Sequence, residues 1–439
     1  MSVFEALAGC AVRSLIDDAV EHDGRCNWLG DDIDELPTPH VVHRSMDAAL
    51  YDGTAGIGWV LSWWAAGRCD RDAEATGRAA LAHAHSWAIR STEDGLAGGR
   101  SGVALALASA GAALRCPALM RDAVELASAV VAAGAAGAVS GEVDLLGGDS
   151  GVAAALFVVA DLAGGPAADE LRSHALKLCA RVEQAAIGTT NGRWWYSPGA
   201  GAALCGLAHG ASGIALVLRR AGDRYGLAPL VAAADNAESA ERAWFDSDRG
   251  GWPDLRGSSS DDDPEQPGYE VPFQWCHGSA GIGLVRLDTH ASGGNRQALA
   301  EAAAAIEHVT AQTLCLLARP ERSFAANACI CHGVGGAAEL HLRAAQATGD
   351  RTHLHLARRL MLRSLGVERN DVERWMAANP AVGPDEIRGA ADRITCGIPG
   401  AGATPGLFVG LAGTAAVLAR LHCPDSMPSP AMPWTWADS

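Results

Sequence analysis

Apolar and small residues recur along this chain with a spacing that predicts helices rather than strands. In residues 71–91 and 298–319 the apolar positions return every three or four residues, which is the period of one helix face. Runs that alternate apolar and polar residues, with β-branched side chains, are nearly absent. The pattern therefore predicts an all-α protein with few strands.

A pair of glycines spaced Gly-x-x-Gly precedes a stretch of small apolar residues at seven places in the chain. The pairs are Gly53/Gly56, Gly99/Gly102, Gly148/Gly151, Gly210/Gly213, Gly278/Gly281, Gly333/Gly336 and Gly410/Gly413. Their first glycines lie 46 to 77 residues apart, a period that suits one helical hairpin with insertions in the later loops. The sequence thus predicts seven helical-hairpin repeats.

These equivalent turns favour a closed arrangement of the repeats. Glycine lets the backbone approach a neighbouring segment closely, so helices that begin at such turns pack tightly. We expect residues 1–439 to form one α/α toroid, a double ring of about 14 helices, because an open solenoid usually has a more constant period and polar caps. In a closed ring the seven turns meet at one end and line one cavity.

Composition and charge exclude several classes of protein. Hydrophobic residues make up 49% and charged residues 19%, which is typical of a well-buried helical chain. A net charge of −17 argues against nucleic acid as a partner. The N-terminus lacks the pattern of a signal peptide, and no apolar run predicts a transmembrane segment. With 12 cysteines and no secretion signal, we expect reduced thiols and a cytoplasmic location.

Two of the seven turns carry Cys-His-Gly and predict a metal site. Zinc binds thiolate and imidazole ligands, and three protein ligands with one open position are typical of a catalytic site. We predict Cys276, Cys331 and His332 as the zinc ligands. His277 is either a fourth ligand or, as we prefer, a residue that faces the substrate, and Cys329 is expected to pack in the core.

Two further turns carry candidates for proton transfer. His209 directly precedes Gly210, the place that His277 and His332 occupy in their own turns. Asp144 lies four residues before Gly148 and either orients His209 or caps a helix. Two long insertions, residues 254–272 and 375–406, either form a rim over the cavity or are simply tolerated.

The motifs "GLAHG", "WCHG" and "CHG", together with the seven glycine turns, resemble the lanthionine synthetase C-like family from Gly53 to Gly413. The resemblance implies a toroid with a central zinc ion held by Cys276, Cys331 and His332. It implies that cysteine thiols of a dehydrated precursor peptide add to dehydroalanine or dehydrobutyrine and form thioether rings. His209 would be the acid–base residue and Asp144 its partner.

One stretch departs from the family pattern. Some members have a basic residue a few positions before the Trp-Cys pair, whereas residues 271–274 here are Val-Pro-Phe-Gln. His277 or Gln274 is then the candidate that stabilises the enolate. No dehydratase-like region precedes the first turn, so we expect a separate dehydratase to supply the substrate.

Other functions remain open at this point. A prenyltransferase-like barrel also uses zinc to activate a thiol, but the paired Cys-His-Gly turns disfavour it. A lanthionine synthetase C-like enzyme that adds glutathione or another small thiol to dehydroamino acids is the nearer alternative. A zinc-stabilised scaffold that binds peptide without turnover is the third.

Overall fold

The computed structural model describes residues 2–34, 38–136, 141–198, 200–256, 269–319, 326–377, 382–400, 402 and 404–434. Helices dominate these residues, which confirms the prediction of a mostly helical fold. The described residues contain sixteen helices: α1 Val3–Asp17, α2 Thr54–Arg68, α3 Arg71–Ala88, α4 Arg100–Ala113, α5 Pro117–Ala135, α6 Asp149–Ala163, α7 Gly165–Gln184, α8 Ala211–Tyr225, α9 Ala228–Arg242, α10 Ser279–Gly293, α11 Arg296–Ala318, α12 Val334–Thr348, α13 Arg351–Ser364, α14 Arg369–Ala377, α15 Pro384–Ala391 and α16 Leu411–His422. None of them is long and apolar enough to cross a bilayer.

Strands are few and short, as the sequence predicts. They form four antiparallel two-stranded sheets in the described part of the chain. The pairs are β1 Val20–His22 with β2 Arg25–Asn27, β3 Leu29–Asp34 with β4 His40–Ser45, β5 Ile187–Thr189 with β6 Gly192–Trp194, and β7 Tyr196–Ser197 with β8 Ala202–Ala203.

The first glycine of every pair is the N-cap residue of a helix. We call these seven helices, α2, α4, α6, α8, α10, α12 and α16, the inner helices. They are buried on all sides: in α4 every residue from Ser101 to Gly111 is buried. Helices such as α3 and α5 bury only one stripe, which is the pattern of a helix with one face toward solvent. The two kinds of helix match the inner and outer helices of a hairpin repeat.

Backbone hydrogen bonds join the seven glycine turns into a closed cycle. At each turn the N–H of the residue two positions before the first glycine donates to the carbonyl of its counterpart in the next turn. We call these seven residues the ring positions. The donor–acceptor pairs are Tyr51 to Ala97 at 3.1 Å, Ala97 to Leu146 at 2.9 Å, Leu146 to Ala208 at 3.2 Å, Ala208 to Cys276 at 3.1 Å, Cys276 to Cys331 at 3.3 Å, Cys331 to Phe408 at 2.9 Å, and Phe408 to Tyr51 at 2.8 Å.

The second glycine of each pair is required by close packing between neighbouring turns. A Cβ atom on Gly56 would overlap the carbonyl oxygen of Leu50 and lie 2.7 Å from the Cβ of Leu407, which belongs to the seventh turn. The other six pairs repeat this contact with the turn before them. The first and the seventh turns are therefore packed against each other in the same way as consecutive turns.

The helix contacts run in a closed cycle as well. Each inner helix packs against the next, and α16 packs against α2. Six inner helices pair with the helix that follows them in the chain, whereas α16 pairs with α1. The count of about 14 helices is therefore correct for the seven pairs, but the seventh outer helix comes from before the first turn. The short helices α14 and α15 are additional, and they pack against α13 and α1.

The two predicted insertions differ in their relation to the ring. Residues 257–268 of the first and residues 378–381, 401 and 403 of the second lie outside the described residues. The described flanks of the first insertion are joined by a hydrogen bond from the Asp254 N–H to the Glu270 carbonyl at 2.8 Å. The second insertion contains α15 and returns to the ring at Gly397, whose N–H donates to the Val409 carbonyl at 2.7 Å.

Substitution of the second glycine tests the packing between the first and seventh turns. We expect Gly56→Ala to lower the free energy of unfolding by about 1–3 kcal/mol, because the added methyl group forces the two turns apart. Gly67→Ala in the same helix α2 is the control, since a Cβ there meets no atom within 4 Å. It should raise stability by roughly 0.5–1 kcal/mol. Denaturant unfolding measures both, and an unchanged midpoint for Gly56→Ala would contradict the packing argument.

Candidate active site

One cavity of about 1090 Å³ opens beside the cycle of ring positions. Its lining includes five of the six residues that the sequence analysis selected, namely His209, Cys276, His277, Cys331 and His332. They come from the fourth, fifth and sixth turns, up to 123 residues apart in sequence, and the hydrogen-bonded cycle brings them together. The sixth, Asp144, is 5% exposed and contacts His209 from below the cavity surface.

The thiols of Cys276 and Cys331 lie within hydrogen-bonding reach of each other. Both are ring positions of adjacent turns, so the backbone bond between these turns fixes their separation. Their hydrogen bond lowers the pKa of Cys276, with help from the charge of Arg256, and the same bond together with burial raises the pKa of Cys331. Cys276 is therefore the thiol of this pair that ionises first.

His332 follows Cys331 and turns its ring toward the segment before α16. Its Nε2 hydrogen-bonds to the carbonyl oxygen of Gly397. Because a carbonyl only accepts, the proton of the neutral ring lies on Nε2 and the lone pair on Nδ1. Burial lowers the pKa of His332, although the Gly397 bond opposes the shift, so the neutral form predominates at neutral pH.

These three residues fit a zinc ion by their chemistry. Two adjacent thiols and a neutral imidazole are soft and borderline donors, the set that zinc prefers. A metal-binding histidine commonly donates its other N–H to a backbone carbonyl, as His332 does to Gly397. As placed, however, no three His, Cys, Asp or Glu side chains among the described residues are grouped closely enough to hold a metal ion. The role of Cys276, Cys331 and His332 as ligands stays a prediction.

Asp144 both holds the third glycine turn and contacts His209. One carboxylate oxygen, Oδ1, accepts hydrogen bonds from the N–H groups of Gly147 at 2.7 Å and Gly148 at 3.1 Å, just before α6. The other oxygen, Oδ2, lies 2.7 Å from Nδ1 of His209. In the first turn of α6 the N–H groups of Asp149 and Gly151 donate to backbone carbonyls, so the Asp144 carboxylate does not cap the helix, and its contact with His209 is the geometry that the orienting role requires.

The electrostatics of His209 differ from those of its neighbour His277. Burial lowers the pKa of His209, but the hydrogen bond and charge of Asp144 outweigh it, so the pKa is raised overall. His277 is 7% exposed, and burial and the charge of Arg256 lower its pKa to about 4. The two rings stack with centroids 5.5 Å apart. The site thus holds one imidazole that readily carries a proton and one that is neutral at neutral pH.

Two cavity residues were missed by the sequence analysis. Tyr51 is a ring position that hydrogen-bonds to the Cys331 thiol and stacks on Phe408 at 5.0 Å. Its place two residues before Gly53 matches that of Cys276 and Cys331, so the repeat alignment held the signal. Arg256 lines the cavity from the first insertion, and no motif surrounds it.

Removing the charge of Asp144 tests its electrostatic role. In Asp144→Asn the pKa of His209 should fall below its wild-type value, because the neutral amide no longer favours the imidazolium form. The Asn carbonyl still accepts from Gly147 and Gly148, so thermal stability should fall less than in Asp144→Ala, which leaves these two N–H groups without their acceptor at a cost of about 1–3 kcal/mol. Titration of the His209 ring by NMR reports the pKa, and an unchanged value in Asp144→Asn would refute this interpretation.

The comparisons with known proteins agree with the resemblance seen in the motifs. Among the curated proteins, none matches this chain. A solved structure named nisin cyclase matches with a TM-score of 0.59 and 16% identity, and the match covers 88% of this chain and 92% of that one. This likeness shows a shared fold. The profile of the family described as "Lanthionine synthetase C-like protein" matches residues 44–433, and the chain therefore belongs to the lanthionine synthetase C-like family.

Proposed function

We propose that this protein is a zinc-dependent lanthipeptide cyclase built on an α/α toroid. It would add cysteine thiols of a dehydrated precursor peptide to dehydroalanine or dehydrobutyrine, forming lanthionine or methyllanthionine rings. The observation that carries the proposal is the closed hydrogen-bonded cycle that gathers Cys276, Cys331, His332 and His209 in one cavity. Family membership supports the same reading.

In this proposal Cys276, Cys331 and His332 hold the zinc ion. When bound, zinc would lower the pKa of a coordinated substrate thiol, which is otherwise only about 3% ionised at neutral pH. Complete ionisation is worth at most about 30-fold in rate, or roughly 2 kcal/mol. Orientation of the thiol against the alkene in a confined cavity contributes more, since well-placed reactants gain several kcal/mol.

His209 would supply the proton that completes the addition. The substrate thiol gives up its proton when it ionises, and this proton replaces the one that His209 later delivers. The thiolate sulfur bonds to the β-carbon of the dehydro residue, and the alkene electrons move toward the α-carbon and its carbonyl. The α-carbon then takes a proton, so the product is an isomer of the reactant. Asp144 engages Nδ1 of His209 and leaves Nε2 as the nitrogen that exchanges protons in the cavity. The raised pKa of His209 increases the fraction that carries this proton.

The shape of the cavity supports a peptide substrate. The residue after each ring position is histidine in the fourth to sixth turns but glycine, Gly98 and Gly147, in the second and third. A Cβ on Gly98 would meet no atom within 4 Å, and on Gly147 only the Asp144 carboxylate at 3.7 Å, so packing does not demand glycine at either place. Both glycines line the cavity, so the absence of a side chain there leaves space beside the histidines. A small thiol needs no such space.

A separate dehydratase is proposed as the source of the substrate, because addition requires an alkene that the site chemistry above does not create. Loss of water from serine or threonine side chains of the precursor is the class of reaction needed. The cytoplasm is the proposed location of both steps. Zinc-stabilised peptide binding without turnover remains the non-enzymatic alternative. The reactions with the dehydrated peptide and with glutathione distinguish it from the two enzymes.

The zinc site is tested by metal analysis of purified protein. We expect one zinc ion per chain in the wild type and none in Cys276→Ala or Cys331→Ala, because each variant removes a thiolate ligand. Cys329→Ala is the matched control: Cys329 is fully buried two residues from Cys331 but outside the predicted ligand set, so this variant should retain zinc. Zinc-free wild type, or zinc retained in both ligand variants, would refute the assignment.

The cyclase activity is tested with a dehydrated precursor peptide. Wild type should consume the free thiols, which a thiol-alkylating reagent reports in mass spectra, since cyclisation leaves the mass unchanged. His209→Ala should retain zinc but cyclise about 100- to 10,000-fold more slowly, as for loss of a general acid.

A parallel reaction with glutathione and the same peptide separates the alternatives. Adduct formation without ring closure would favour the small-thiol enzyme, and binding without either reaction would favour the scaffold. Cyclisation by His209→Ala at the wild-type rate would show that another group delivers the proton.

A further inference from the structure

The proposed zinc ligands and His209 leave one charge requirement of the proposed reaction unmet. Attack on the β-carbon moves negative charge onto the carbonyl oxygen of the dehydro residue. A fixed hydrogen-bond donor or positive charge at that oxygen is usually the largest single contribution to such a reaction. Residues 271–274, just before Cys276, contain no basic side chain. The inference below rests on the proposed function and concerns which group meets this requirement.

Arg256 reaches the cavity from the first insertion. It lies in the lining with Cys276, His277 and Cys331, and its side chain is 52% exposed. A half-exposed guanidinium in the cavity lining is accessible to a carbonyl oxygen of a bound ligand. Arg256 interacts electrostatically with the proposed ligand pair. The hydrogen bond to Asp254 contributes most to the raised pKa of Arg256, and Cys276 and Cys331 raise this pKa further.

The position of Arg256 is fixed by its neighbours. Asp254 accepts from Nε of Arg256 at 3.0 and 3.1 Å and from Nη2 at 2.6 Å. Asp254 is itself tied to the other flank of the insertion through Glu270, and Trp252 beside it is fully buried. Nη1 of Arg256 makes no hydrogen bond to another described residue, so the guanidinium retains an N–H donor for a ligand. The arginine is thus oriented before any substrate binds.

The other polar groups of the cavity are weaker candidates. Arg181 is the second guanidinium in the lining, and Asp149 binds its Nε and Nη2 at 2.6 Å each, much as Asp254 binds Arg256. It differs in coming from α7 of the third repeat, whereas Arg256 comes from the segment that leads to the Cys276 turn. Gln274 is neutral, and its buried Oε1 accepts no hydrogen bond in the described structure. A charged donor is roughly twice as strong as a neutral one. Arg256 is the cation that lines the same cavity as Cys276 and Cys331 from the segment before the Cys276 turn.

We propose that Arg256 is a catalytic residue that donates a hydrogen bond to the carbonyl oxygen of the dehydro residue. As the sulfur–carbon bond forms, the alkene electrons shift to this oxygen, and the guanidinium stabilises the charge there. The negative charge leaves the oxygen when the carbonyl re-forms and the α-carbon takes a proton from His209. Arg256 keeps its own protons throughout. Asp254 acts as the positioning residue for the guanidinium.

The test compares Arg256→Gln and Arg256→Lys with wild type on the dehydrated peptide. Loss of one such donor typically slows turnover about 100- to 1,000-fold, so we expect Arg256→Gln to lower kcat by this factor with KM nearly unchanged. Arg256→Lys should recover part of the rate, because lysine restores the positive charge but not the planar set of N–H donors. Zinc content and the thermal midpoint should match wild type in both variants, since the side chain is half exposed.

Arg181→Gln is the control, because it removes the same charge from the same cavity at a different wall. We expect its kcat to stay within a few-fold of wild type. A second readout uses a more activated acceptor, a vinyl ketone with a small thiol, which needs less stabilisation of its enolate. The loss in Arg256→Gln should then be smaller than with the dehydrated peptide, an effect that a merely structural role would not produce.

Three results would overturn the proposal for Arg256. They are a wild-type rate in Arg256→Gln, an equal loss in Arg181→Gln, or a loss that is the same for both acceptors. If wild type itself neither cyclises the peptide nor adds a thiol to either acceptor, the proposed function fails and the role of Arg256 fails with it. Activity in wild type together with any of the three results rejects Arg256 alone.

Discussion

Seven backbone hydrogen bonds, each from one glycine turn to the next, are the constraint on which the rest of the structure depends. The last bond, from Phe408 to Tyr51, returns to the first turn. Each turn is therefore held by two hydrogen bonds, one to each neighbouring turn, and it cannot move without stretching both. The main chain therefore sets the spacing of the side chains at the ring positions and directly after them. Cysteine and histidine need only occur in adjacent turns to become neighbours, and the remaining turns are left to accommodate a substrate.

The arrangement of Asp144 shows how the site is tied to this frame. Its carboxylate accepts from two N–H groups of the third glycine turn and also contacts His209, so the histidine is held by a group that this turn requires. Asp144 is almost fully buried, where a charged hydrogen bond is worth about 1.5–3 kcal/mol. Stability and the protonation of His209 thus share one side chain, and neither can be adjusted alone.

Sequence reasoning was most successful where a feature depends on local packing. The glycine pairs mark close approach of backbones and can be recognised within a few residues, whereas the metal ligands that Cys-His-Gly indicates stay a prediction. The pairing of α16 with α1 was missed because no local pattern identifies which helix covers the last turn. Arg256 was missed for a related reason: it lies twenty residues before Cys276 in an insertion, and only the fold brings it to the cavity.

The pairing of α16 with α1 has a consequence for the order of events during translation. Helix α1 is synthesised before all seven glycine turns, yet α16, the helix that covers its apolar face, follows the last of them. Until then α1 and both open ends of the growing ring expose surface that favours aggregation, and the contact of highest sequence separation forms late. A circular permutation that places α1 directly after α16 would make their contact local, and the closure of the ring would then fall between two other neighbouring turns.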